Sequence, residues 1–143
     1  ARMLPRTDLI IVTTPAVSAQ KVAIRAADMA RRSFLRVAGV IENMSSFTCE
    51  HGSSYPLFGE GGGRALANDI GAELLGQIPL EPAVAHGGDV GEPIAIDGSS
   101  AAARVFADIA KYIESTTVSV SELSGCSARD ENVVAVSVRS QSR

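Results

Sequence analysis

One thiol and one imidazole lie close together in the sequence, and these two groups are the most able to bind a metal. Cys49 and His51 are separated by a single residue. A cysteine thiolate is the preferred protein ligand of iron–sulfur clusters, and imidazole takes its place at one iron of some clusters. Position 52, where a second cysteine would complete a Cys-x-x-Cys pair, is glycine. Cys49 is therefore the candidate metal ligand and His51 a weaker one, with an ordinary loop cysteine as the alternative.

The glycine-rich run at residues 59–64 does not have the composition of a phosphate-binding loop. It lacks the Lys followed by Ser or Thr that such loops need, and Glu60 would repel a phosphate. The carboxylates of Glu42 and Glu60 are interpreted as plain loop charges. His51 and His86 lie in separate segments, and neither has a neighbouring nucleophile with a carboxylate at a useful distance. The sequence therefore predicts no catalytic residue.

The hydrophobic pattern predicts an α/β fold, a parallel sheet flanked by helices. Strands are expected near residues 8–13, 36–42 and 74–78, because these are short, continuous apolar runs. Helices are expected at residues 15–32 and 64–70, and from about 100 to 113. Thr14 is the predicted N-cap of the first, Gly71 the stop of the second, and Ser99 or Ser100 the cap of the third. Residues 42–63 and 80–91 are predicted to be loops.

Composition excludes several classes of protein. The 143 residues suffice for one domain, and 45% of them are hydrophobic. The net charge is −3 and the cationic residues are scattered, so neither nucleic acid nor membrane is an expected partner. The longest apolar runs are far shorter than a membrane span, and no signal peptide is visible, so a cytoplasmic protein is expected. Cys126, the second cysteine, is interpreted as a small buried hydrophobe.

Two sequence blocks around Cys49 resemble a known family. Residues 39–45 read Gly-Val-Ile-Glu-Asn-Met-Ser and residues 58–63 read Phe-Gly-Glu-Gly-Gly-Gly. With Cys49 between them, they are similar to the cluster-binding segment of the Mrp family of iron–sulfur cluster carriers, which are P-loop ATPases with a deviant Walker A motif. The resemblance implies the C-terminal part of a SIMIBI-type P-loop NTPase fold over residues 1–115. We expect a disordered tail at residues 116–143 and a chain that is part of a longer protein.

The resemblance also implies roles for individual residues. Asn43 would face the adenine of bound ATP, and Pro79 would belong to the segment that packs against the same base. The alternative is that Asn43 only caps a strand-to-loop turn. Cys49 would hold a 4Fe-4S cluster shared between the subunits of a homodimer, which passes the cluster to apo iron–sulfur proteins. With ATP and Mg²⁺ the full-length protein would be an ATPase, whereas this chain alone is expected to be inactive.

Two other functions remain open at this point. One is a partition or septum-positioning ATPase switch, against which stand the block at residues 42–63 and the absence of a basic face or a membrane-targeting amphipathic tail. The other is a non-catalytic interaction module. A phosphate loop encoded directly upstream would favour the ATPase readings over the module.

Overall fold

The computed structural model describes residues 7–96 and 98–116, which form a four-stranded sheet with helices on both faces. Residues 1–6 and 117–143 lie outside the described residues, and with them Cys126 and all but the first residue of the predicted disordered tail at 116–143. The described elements, in chain order, are β1 (Asp8–Thr13), α1 (Val17–Arg32), β2 (Arg36–Thr48), β3 (Ser54–Tyr55), α2 (Gly62–Ile70), β4 (Leu74–Leu80), α3 (Pro82–Val90), a short 3₁₀ helix (Ile94–Ile96) and α4 (Ala101–Thr116).

β2 is the central strand of the sheet. β1 and β4 run parallel to it on its two sides, and β3 pairs antiparallel with its last residues. The α/β class and the three predicted parallel strands are therefore confirmed. In such a sheet the strand carboxyl ends lie along one edge, where α/β folds place their ligands.

The sheet separates two hydrophobic cores. Val40 of β2 contributes to a core with α1 and α2, whereas its neighbour Ile41 faces the other side and packs with α4. This division follows from the alternation of side chains along a strand. The first core contains Ile11, Ala23, Ala27, Val40, Leu66, Ala67 and Ile70, and the second is built on Ile78, Ala102 and Ile109.

Both predicted loops are partly wrong. β2 continues to Thr48 and forms a hairpin with β3, so much of the segment 42–63 is strand or helix. The polar residues of this hairpin lack the apolar alternation by which strands are recognised. The second loop is helix α3, although it contains two glycines. Gly87 permits a close approach there, since a Cβ would lie 2.5 Å from the carbonyl oxygen of Glu92. Val84 of α3 packs against the second core, and this tertiary packing overrides the weak helix propensity of the segment.

The predicted start of α1 is also wrong. The helix begins at Val17, its N-cap is Ala16, and no side chain caps it. Pro15 lies before the helix, and its carbonyl oxygen accepts a hydrogen bond of 2.8 Å from Nε2 of Gln20.

The predicted ends of two other helices are confirmed. Ser100 is the cap of α4, since its Oγ accepts a hydrogen bond of 3.1 Å from the backbone N–H of Ala103. Gly71 ends α2 in the left-handed conformation, with a φ of 63°.

Candidate functional site

Asn43 and Pro79 lie on neighbouring strands at the carboxyl edge of the sheet. Asn43 pairs with Ile78, and the pairing of β2 with β4 resumes only at Phe47 and Leu80. Pro79 lies in this gap and has no N–H to donate to the ladder. Met44, opposite the gap, has a φ of 57°, in the left-handed region. The sheet therefore opens locally where the sequence predicts a nucleotide.

The Asn43 side chain is half-buried and makes one local hydrogen bond. Its Oδ1 accepts a bond of 2.9 Å from the backbone N–H of Met44. This contact stabilises the left-handed backbone at Met44 and engages the oxygen of the amide. The amide NH₂ is the other hydrogen-bonding group of this side chain, and it can only donate.

A groove of about 520 Å³ runs along β1 and α1 and reaches Asn43. Its walls are mostly apolar, and two of its residues, Val12 and Val22, are 58% and 66% exposed. Within residues 7–96 and 98–116, β1 pairs on one side only, so the groove is an open edge of the hydrophobic core. It includes neither Pro79 nor Cys49.

Cys49 lies in the turn of the hairpin formed by β2 and β3. Its backbone N–H donates to the carbonyl oxygen of Ser53, and its own carbonyl accepts from the N–H of Gly52, both at 2.9 Å. Gly52 has a φ of 81°, which favours glycine. At roughly 3.3 Å per strand residue, this turn is up to about 20 Å from Asn43. The structure thus brings Asn43 and Pro79 together and places Cys49 apart from them.

The turn stabilises the thiolate form of Cys49. The backbone N–H of His51 is the largest influence that lowers the pKa of this half-exposed thiol, and the N–H and hydroxyl of Ser53 add to it. Desolvation opposes them, with an effect on the pKa that is smaller than that of His51 and larger than either contribution of Ser53. The thiolate is both the nucleophile and the metal ligand, so these hydrogen bonds favour the form that binds metal.

One chain does not supply a complete set of metal ligands in the part that the structure describes. No group of three or more His, Cys, Asp or Glu residues there could hold a metal ion. His51 is exposed on the same turn as Cys49. Because a cluster is commonly held by four ligands, Cys49 must be supplemented from elsewhere to hold one.

Glu42 is the residue whose role the sequence interpretation missed. It is not a loop charge, because its side chain is buried, with 1% exposed, on the side of β2 that faces α2. Oε2 accepts a hydrogen bond of 2.5 Å from the N–H of Gly63, and Oε1 accepts one of 2.7 Å from Nε2 of Gln77. A carboxylate within the predicted strand 36–42 was the available signal. Glu60 is exposed, as expected of a loop charge.

Comparison with known proteins gives a consistent family. The family model described as "ParA: NUBPL iron-transfer P-loop NTPase" matches residues 1–114. A protein of Mycobacterium tuberculosis named iron-sulfur cluster carrier protein is 43% identical over 108 residues, which are 71% of this chain and 28% of that protein. A Saccharolobus solfataricus protein of the same name is 40% identical over 95 residues, 65% of this chain and 32% of that protein. The chain therefore spans about a third or less of these relatives.

Solved structures share the fold. The cell division ATPase MinD of Pyrococcus furiosus superposes with a TM-score of 0.57 at 22% identity, covering 76% of this chain and 42% of that one. MinD of Aquifex aeolicus gives the same score at 23% identity, covering 77% and 44%. At these identities the likeness concerns the fold alone. In the described part of the chain, no helix has the length and hydrophobicity needed to cross a membrane.

Proposed function

This chain belongs to the ParA family of NUBPL-type iron-transfer P-loop NTPases, and from that premise we propose that it is the cluster-binding part of an ATP-dependent iron–sulfur cluster carrier. The observation that carries the proposal is the half-exposed thiol of Cys49, with its lowered pKa, at the tip of a hairpin. Relatives that are 40–43% identical bear the name iron-sulfur cluster carrier protein.

The cargo is a 4Fe-4S cluster shared between two copies of the chain. Each protomer of a homodimer contributes the thiolate of Cys49, and His51 or an exogenous thiol completes the ligands. An incomplete and exposed protein ligand set suits a carrier, because incoming cysteines of an apo iron–sulfur protein can replace the labile ligands one at a time. A reducing compartment such as the cytoplasm keeps these thiols available.

The nucleotide site lies at the opened edge of the sheet. The amide NH₂ of Asn43 donates to an acceptor on the adenine, and the ring of Pro79 packs against the face of the base. The sequence contains no phosphate loop with Lys followed by Ser or Thr, so the chain has no group of its own to hold the phosphates or Mg²⁺. We expect nucleotide turnover from the full-length protein and none from these residues alone.

A septum-positioning ATPase switch remains the second candidate, since MinD structures share the fold. A non-catalytic interaction module is the third. Cluster binding separates the carrier from both, because neither alternative requires a metal-binding thiol.

Anaerobic reconstitution with iron and sulfide tests the cluster site. We expect a labile visible chromophore in the parent, its loss in Cys49→Ala, and no effect of Cys126→Ser, the matched control. Gly52→Cys should increase the bound iron, although the positive φ at this position will strain the turn by about 1–2 kcal/mol. A Cys49→Ala protein with the parent's full absorbance and iron content would show that this turn is not the cluster site.

Nucleotide affinity tests Asn43 in the full-length protein. Asn43→Ala should weaken adenine nucleotide binding by about 1–3 kcal/mol, because it removes a hydrogen bond to the base. Asn68→Ala, an exposed asparagine on α2, is the control and should bind normally. An Asn43→Ala protein with unchanged affinity would exclude this residue from the site.

A further inference from the structure

The segment that carries Cys49 is closed at its base by one carboxylate. Glu42 immediately precedes the segment 43–62 and Gly63 immediately follows it. The bond of 2.5 Å from the N–H of Gly63 to Oε2 of Glu42 joins the two ends. The hairpin and the glycine-rich run thus form a loop with a fixed base.

Burial of the Glu42 carboxylate destabilises the fold unless its charge is compensated. A buried carboxylate destabilises a fold by several kcal/mol when it lacks partners. Here both oxygens are engaged, one by Gln77 and the other by an N–H in the first turn of α2. That helix has no side-chain cap of its own and no acidic residue in its first turn. Glu42 therefore supplies, from a distant strand, the negative charge that a helix N-terminus favours.

The backbone at the base of the loop is also tightly packed. A Cβ on Gly63 would lie 2.6 Å from the Cβ of Glu42, and one on Gly62 would lie 2.2 Å from the carbonyl oxygen of Pro15. The backbone of these two glycines therefore packs directly against the middle of β2 and the turn between β1 and α1. A small shift of either element must move the base of the loop with it.

Glu42 is next to Asn43 in the strand, and its register partner Gln77 precedes Ile78 and Pro79. We propose that Glu42 is a positioning residue that couples the nucleotide edge of the sheet to the orientation and exposure of Cys49. The inference rests on the proposed function. A ligand held by Asn43 displaces this part of β2, and the Glu42 carboxylate transmits the displacement to Gly63 and so to both ends of the Cys49 loop. Glu42 itself touches neither the nucleotide nor the cluster.

The test measures the alkylation rate of Cys49 with and without ATP and Mg²⁺, in the full-length protein carrying Cys126→Ser. The parent rate should change at least about fivefold on nucleotide binding, a usual size for coupling between sites. Glu42→Ala should abolish this change while nucleotide affinity stays within about twofold of the parent value, since coupling and affinity are separate quantities. Glu42→Gln should retain the change, because its amide oxygen can still accept from Gly63 and the Gln77 amide can rotate to match.

Glu60→Gln is the matched control, since it changes an exposed carboxylate in the same loop, and it should behave as the parent does. If Glu42→Ala does not fold, Gln77→Ala takes its place in the test. Gln77 is exposed, and its replacement removes one hydrogen-bond partner of the Glu42 carboxylate. It should reduce the effect of nucleotide, and an unchanged effect would count against the proposal.

Two results overturn the coupling role and leave the carrier function intact. The first is a full nucleotide effect in folded Glu42→Ala, and the second is a parent that binds nucleotide without any change in Cys49 reactivity. Failure of the carrier function has a different signature, which is cluster content that does not depend on Cys49.

Discussion

Arg31 of α1 caps the C-terminus of α2, since its Nη2 donates a hydrogen bond of 2.7 Å to the carbonyl oxygen of Ile70. The last carbonyls of a helix lack partners within the helix, and a cation there also interacts favourably with the helix dipole. This contact joins α1 and α2, the two helices that pack on one face of the sheet.

Arg31→Met should lower the free energy of unfolding by about 1 kcal/mol, a modest value because the guanidinium is half-exposed. Thermal melting followed by circular dichroism is the measurement. Arg32→Met on the same turn is the control, because Arg32 is exposed and should change the midpoint little. Equal losses from the two variants would mean that helix charge, not the bond to Ile70, is responsible.

Phe34→Gly should stabilise the fold by about 1 kcal/mol, measured by urea unfolding. Phe34 occupies the left-handed position after α1 with a φ of 57°, and its side chain is 97% exposed. Glycine removes the backbone strain, and almost no packing is lost. Phe34→Ala is the control, because it removes the ring and keeps the strain, so it should be nearly neutral. Stabilisation by alanine as large as that by glycine would contradict the strain argument.

The reactivity of Cys49 should extend to lower pH than that of an unperturbed thiol. Because the N–H groups of His51 and Ser53 lower its pKa, the reactive thiolate is populated at a lower pH in the folded chain than in the unfolded one. Iodoacetamide alkylation against pH, in Cys126→Ser protein with and without urea, measures the two midpoints. Ser53→Ala removes the hydroxyl and should raise the folded midpoint. Identical midpoints with and without urea would contradict the geometry of the turn.

Two helix glycines should respond to alanine in opposite directions. Gly63→Ala should destabilise the fold by about 1–3 kcal/mol, because the new Cβ would clash with the Cβ of Glu42. Gly88→Ala in α3 meets nothing within 4 Å and should stabilise by about 0.5–1 kcal/mol through helix propensity. Urea unfolding of both variants against the parent measures the signs. A neutral Gly63→Ala would show that the base of the Cys49 loop can relax.

The sequence by itself determined the parallel strands, the ends of two helices and the family, because each of these leaves a local pattern. Apolar runs mark buried strands. Gly71 ends α2 and Ser100 begins α4, each through contacts within a few residues. The choice of Cys49 as the candidate metal ligand likewise follows from the chemistry of its thiol.

Tertiary structure alone decided how these parts are joined. Glu42 is a cap for α2 only because folding brings Gly63 beside it, across an intervening loop. The hairpin of Cys49 forms through pairing along β2, and α3 forms although its glycines disfavour a helix, because its Val84 packs against the second core. Contacts between residues distant in sequence leave no local periodicity. Residue patterns therefore predicted the strands, but not the contacts that join them to the helices and to the hairpin.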